Sequence, residues 1–138
     1  MKVSDDFKMV IVLDEKLPIG LLVNTAAVLS LTLGEKIQGL IDKDLMDGSG
    51  LKHMGLTNTP LPILKSSEEK IKSIKTYKTS EDLLIVDITD AAQTTKNYID
   101  YEEKLKSKTV EELKFLGIAV AGSKKTINSI TGNFSLLK

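Results

Sequence analysis

Lys8-Met9-Val10-Ile11-Val12-Leu13, followed across Pro18-Ile19-Gly20 by the apolar stretch Leu21 to Gly34 (LLVNTAAVLSLTLG), decides the fold class. The first piece is a continuous apolar run rich in β-branched residues, the pattern of a strand covered on both faces. The second has apolar residues around most of a helical surface, which predicts a buried helix from Gly20 to Gly34. Two more buried runs, Leu83 to Ile88 and Leu116 to Ala121, carry the same strand signature. Thr89-Asp90 after the first offers caps for a helix running to about Ser107, and Gly122-Ser123 after the second opens a helix that Gly132 closes. Strands alternating with helices predict a three-layer α/β protein with helices on both faces of a mixed, mostly parallel sheet.

Between these landmarks the signals are shorter. Leu40 to Asp47 and Leu51 to Thr57 flank Gly48-Ser49-Gly50 and predict a hairpin. Pro60 to Lys65 reads as a short strand with prolines at its start, where a missing N–H is tolerated. Ser66-Ser67-Glu68-Glu69 has capping-box spacing for a lysine-rich helix to about Tyr77, and Thr109 with Glu112 repeats that spacing for a single turn. At 138 residues, the chain has the length of one domain, 1–138, with no repeat or linker.

Composition excludes several chemistries. There is no cysteine, which removes thiolate nucleophiles and Cys-type zinc sites and suits a reducing cytoplasm. The single histidine, His53, sits in the expected hairpin with no triad pattern around it, so an exposed or packing role is expected. Lysine plus arginine equals aspartate plus glutamate at 19 each, and every one of those bases is lysine. The missing arginine fork and missing basic excess argue against nucleic acid as a partner. No apolar run approaches the length of a membrane span, and the acidic N-terminus is unlike a secretory signal, so the expectation is a cytoplasmic protein with no membrane partner. Asp42 to Gly48 has calcium-loop overtones, but its oxygens fall at the wrong intervals. With no dinucleotide fingerprint, phosphate loop, nucleophile elbow or HExxH either, neither a cofactor nor a metal is expected.

In an open α/β sheet, ligands favour the crevice at the strands' carboxyl ends. The loops expected there supply the ligand-binding candidates Asp14, Gly20, Asn24, Thr89, Asp90, Thr94, Gly122 and Ser123. Helix capping is the plainer reading of Thr89, Asp90 and Ser123. Asn24 stands out as an amide one turn into an apolar helix, where burial would oblige it to find a partner.

The stretches KMVIVLDEKLPIG (8–20), NTAAVLSLTLG (24–34), DGSGLKHMGLTNTPLPIL (47–64) and LGIAVAGSKKTINSITGNFSLLK (116–138) resemble an uncharacterised bacterial family, domain of unknown function two thousand. That family is similar in fold to the archaeal and eukaryotic type of peptidyl-tRNA hydrolase. The resemblance implies a four-stranded mixed sheet between helices. In the hydrolase pattern Gly20 matches the first glycine of a GKGK stretch, but Leu21, Leu22 and Val23 stand where its lysines belong. Asn24 stands loosely for a helix glutamine, and the helix histidine has no counterpart. Asp90, Ala91 and Thr94 follow the DAGxT loop, with Ala92 in place of its glycine, and Thr131 to Leu137 match the ending.

Three readings follow. The first is a ligand-binding or protein-interaction module without turnover, binding a small ligand in the crevice, as a homodimer; a large exposed apolar patch would favour the interaction role. The second is a small-molecule hydrolase with Asp14 or Asp90 as base and Asn24, Thr94 or helix N–H groups as oxyanion donors. Peptidyl-tRNA hydrolysis is third, since the lysine and a basic surface for tRNA are both missing.

Overall fold

The computed structural model of the chain describes Met1 to Lys138. Strand β1 (Phe7–Asp14) lies at the centre of a five-stranded sheet, with every residue but Lys8 buried. Helix α1 (Ile19–Lys36) follows, then an outlying hairpin of β2 (Leu45–Met46) and β3 (Lys52–His53). Next come β4 (Ile63–Ser66), α2 (Glu68–Ile74), β5 (Leu83–Thr89), α3 (Asp90–Gln93), α4 (Tyr98–Lys106), β6 (Phe115–Ser123), α5 (Lys124–Thr131) and β7 (Ser135–Leu136). The sheet order is β5-β6-β1-β4-β7. The three-layer α/β architecture is as expected, with five strands rather than four because the chain's ending returns as β7 against β4.

Strand direction is where expectation and structure part. Only the β1–β4 pairing is parallel; β6 runs antiparallel to both β1 and β5, with Phe7 opposite Ser123 and Leu83 opposite Gly122. Gly122 and Ser123 therefore lie at the edge of the sheet opposite Asp14 and Thr89, correcting the expectation that all four share one crevice. The cause is the connection from β5 to β6. Its two ends are tied together, Asp90 N–H donating to Lys114 O at 2.9 Å and Lys114 N–H to Asp90 Oδ1 at 3.1 Å. A connection that leaves and returns at one edge must reverse the next strand. It is also not the single helix expected to Ser107. Asn97 accepts a hydrogen bond from Asp100 N–H at 2.9 Å and starts α4 afresh, leaving 94–97 as a turn.

Alternate residues of the strands feed two cores. Met9, Ile11, Leu13, Ala119 and Ala121 pack under Leu29 and Leu33 of α1. On the other face Val10, Val12, Ile118 and Val120 meet Ile71 and Ile74 of α2 and Ile127 and Ile130 of α5. Gly117 lets α1 settle closely on β6, since a Cβ there would stand 2.7 Å from Thr25 Cγ2 and 2.8 Å from Leu13 Cδ2. Helix α1 is less buried than its sequence suggests: only Leu22, Thr25, Leu29 and Leu33 are enclosed. By length and composition alone α1 is apolar enough to cross a membrane, at a mean hydropathy of 1.2, although no span was expected.

Local signals hold where a side chain closes its own turn. Ser67 Oγ accepts from Lys70 N–H at 3.3 Å and starts α2, which ends at Ile74 short of the expected Tyr77. Ser123 caps α5 through Thr126 N–H at 3.2 Å. Glu112 Oε1 accepts from both Thr109 N–H, at 3.0 Å, and Thr109 Oγ1, at 3.1 Å, and these bonds hold its carboxyl below the ordinary value.

Candidate functional site

β5 is an edge strand, and α1 and the α3–α4 segment flank its open side. Between them lies a groove of about 560 Å³. α1 contributes Asn24, Val28 and Thr32, β5 contributes Val86, Asp87 and Ile88, and the other wall comes from Gln93, Thr95 to Tyr98 and Tyr101. A second hollow of about 470 Å³ shares Thr32, Val86, Asp87 and Tyr101 and continues the groove toward Leu105 and Phe115.

The backbone adds polar capacity to this apolar floor. Leu83 exchanges hydrogen bonds with Ser80 at 3.0 and 3.3 Å on the side away from β6. By the alternation of an antiparallel ladder, Ile85 and Asp87 also turn their N–H and C=O outward along the groove. The Asp87 carboxylate is held by Lys75 Nζ at 2.7 Å. Lys96 is the cation on the α3–α4 wall, and neither it nor Asn24 or Gln93 makes a side-chain hydrogen bond or ion pair within the chain. Tyr98 and Tyr101 pack edge to face, centroids 5.6 Å apart. Burial, then the Asp87 carboxylate and Tyr98, push the Tyr101 hydroxyl above its ordinary value, so at neutral pH it stays protonated and able to donate.

Of the sequence candidates only Asn24 lines this groove, and it is exposed at its rim rather than buried in a helix core. Asp14 and Gly20 lie at the same sheet edge but outside it; Asp14 is buried and accepts Lys16 N–H at 3.1 Å. Asp90 ties the β5–β6 connection, and the Thr94 hydroxyl bonds Asp90 O and receives Lys104 Nζ. Gly122 and Ser123 line a separate hollow with Asp6 and Asp82 at the opposite edge. No three His, Cys, Asp or Glu side chains come together to hold a metal ion. Among the groove residues that sequence reasoning left out are Val28, Thr32, Lys96, Tyr98 and Tyr101. The signal for the last three was the Asn97-x-x-Asp100 cap, which breaks the helix and lays 94–97 beside β5.

Thr89 is fully enclosed where β5 meets α3, and its Oγ1 has no hydrogen-bond partner. It does not line the groove. Its extended backbone, φ −117° and ψ 172°, suits a β-branched residue. Thr89→Val removes an unsatisfied buried hydroxyl at nearly constant shape and is expected to stabilise the protein by about 1 kcal/mol, or roughly 3 °C in melting temperature. A lower melting temperature would show that the hydroxyl is partnered after all.

The groove thus combines an apolar floor, a polar rim and one cation, Lys96, without a side-chain partner, set on a three-layer α/β sheet. The chain belongs to the family described as Protein of unknown function (DUF2000), whose model matches residues 7–138. It is similar in fold to the solved structure of Atu0240, a protein of unknown function from Agrobacterium tumefaciens strain C58. The TM-score is 0.87 at 18% identity, over 98% of this chain and 100% of that one. No curated protein matches the chain.

Proposed function

We propose that this protein is a small-ligand-binding module, and that its ligand has an apolar body and one anionic group seated in the groove beside β5. The observation that carries the reading is the charge balance of the lining. Lys75 neutralises Asp87, leaving Lys96 as the unpaired charge beside an apolar floor. Asn24, Gln93 and the outward backbone groups of β5 supply further donors and acceptors. A chain without cysteine suits the reducing cytoplasm. Turnover is the weaker reading, because both carboxylates offered as bases, Asp14 and Asp90, already hold backbone N–H groups and neither lines the groove.

The test is a thermal-shift screen against small carboxylic and phosphoric acids. At 100 times its dissociation constant a ligand adds about 2.7 kcal/mol, which for this length raises the melting temperature by about 9 °C. Lys96→Met and Asn24→Ala, both at exposed positions, are expected to leave the unliganded melting temperature within about 2 °C of the parent and to abolish that shift. A shift that survives both substitutions, or no shift with any anionic compound, overturns the reading.

A further inference from the structure

Opposite the stripe that packs on the sheet, α1 presents Ile19, Gly20, Val23, Ala27, Leu31 and Gly34 to the outside. Ile19 is 77% exposed and Leu31 75%. An 18-residue helix that is apolar along its outer face as well as along the stripe seated on the sheet is unfinished as a surface. The same chain carries a second apolar surface. From Leu40 it leaves the body as an arm that returns at Asn58, which closes the base by donating to Leu40 O at 2.9 Å and Gly39 O at 3.0 Å. The arm is tied internally: Asp47 accepts Ser49 N–H at 2.8 Å, Leu51 N–H at 3.1 Å and a bond with His53 Nε2 at 2.8 Å. Asp44 holds Gly55 N–H at 2.8 Å. With its polar groups so engaged, the arm extends Ile41, Leu45, Met46, Leu51, Met54 and Leu56 into solvent, all exposed. A two-stranded hairpin gains little stability by itself in water.

We infer that these two surfaces cover each other between two copies of the chain, with α1 packed antiparallel to the partner's α1 across a twofold axis and each arm lying over the start of the partner's α1. Four observations choose a second copy. A twofold axis sets each residue near its own image or a neighbour's, so charges there would repel; from Ile19 to Gly34 there are none. A nucleic acid or an anionic membrane surface would call for cations on this face, and it has none. Leu22, Leu29 and Leu33 are locked into the core, so α1 cannot leave the sheet to enter a bilayer lengthwise. Finally, the size fits. The helix is about 27 Å long, and an interface of about 800 Å² per partner is roughly 28 Å across. Because each arm stands at the carboxyl end of its own α1, the antiparallel arrangement brings it to the partner's Ile19 and Val23. Gly20, Ala27 and Gly34 allow the two backbones a close approach.

The full chain's mass in solution, by light scattering across a dilution series, is expected to be twice 15.1 kDa. Val23→Glu, at a position exposed in the single copy, is expected to halve that mass while keeping the thermal transition. The chain has no cysteine, so Ala27→Cys near the axis provides a second test. On oxidation it should form a cross-linked dimer that a reductant reverses, since a disulfide needs Cα atoms within about 7 Å. A mass of 15.1 kDa at every concentration overturns the inference. So does a dimer indifferent to Val23→Glu, failure of Ala27→Cys to cross-link, or sedimentation with phosphatidylcholine vesicles that Val23→Glu abolishes.

Discussion

Gly117→Val is expected to lower the melting temperature by about 10 °C. A Cβ at this position meets Thr25 Cγ2 at 2.7 Å, Leu13 Cδ2 at 2.8 Å and Leu29 Cδ1 at 3.3 Å. Those neighbours are themselves buried, with Leu29 fully enclosed and Leu13 and Thr25 almost so, and have little room to withdraw. Valine adds two methyl groups beyond that Cβ, so the cost belongs at the upper end of the overpacking range, about 3 kcal/mol. At roughly 0.29 kcal/mol per degree for a chain of this length, that gives the stated shift. The effect should also reach the groove. α1 carries Asn24, Val28 and Thr32 on one wall, and the strain is relieved by moving α1 away from β6. Thermal melting measures the first consequence, and the ligand-induced shift of the variant measures the second. A Gly117→Val protein as stable as the parent would mean that α1 is not seated on β6 as described.

Phe115→Ala should cost more, about 3 to 5 kcal/mol, or 10 to 17 °C, because it leaves a cavity that the surrounding sheet cannot collapse to fill. Phe115 is 1% exposed, at the start of β6, and belongs to the core opposite α1 together with Ile118, Ile71 and Ile74. It also sits where β5 and β6 slip register, opposite Thr89, so its ring supports the irregular end of the pairing from which the β5–β6 connection departs. Chemical denaturation with both midpoint and slope recorded is the appropriate measurement: a lower midpoint at unchanged slope is expected. A loss below about 1 kcal/mol would place the ring outside the core.

The strands, the apolar helix and the caps at Ser123 and Thr109 were legible in the amino-acid sequence because each rests on interactions that close within a few residues, whereas Thr89, expected to cap the helix after β5, makes no cap hydrogen bond. Continuous apolar runs specify β1, β5 and β6 whatever they pair with, and Thr109 with Glu112 forms its box from neighbours three apart. What tertiary structure alone decided was direction and exposure. A strand covered on both faces reads the same whether its neighbour is parallel or antiparallel. The tie between Asp90 and Lys114, 24 residues apart, reverses β6 and sends Gly122 and Ser123 away from Asp14. Exposure was hidden for the same reason. The composition of α1 does not say that only Leu22, Thr25, Leu29 and Leu33 find the sheet, nor that Asn24, one turn along, faces the groove formed when Asn97 breaks the following helix and brings Lys96 and the tyrosine pair beside β5. These juxtapositions join residues some seventy positions apart, and no local pattern records them.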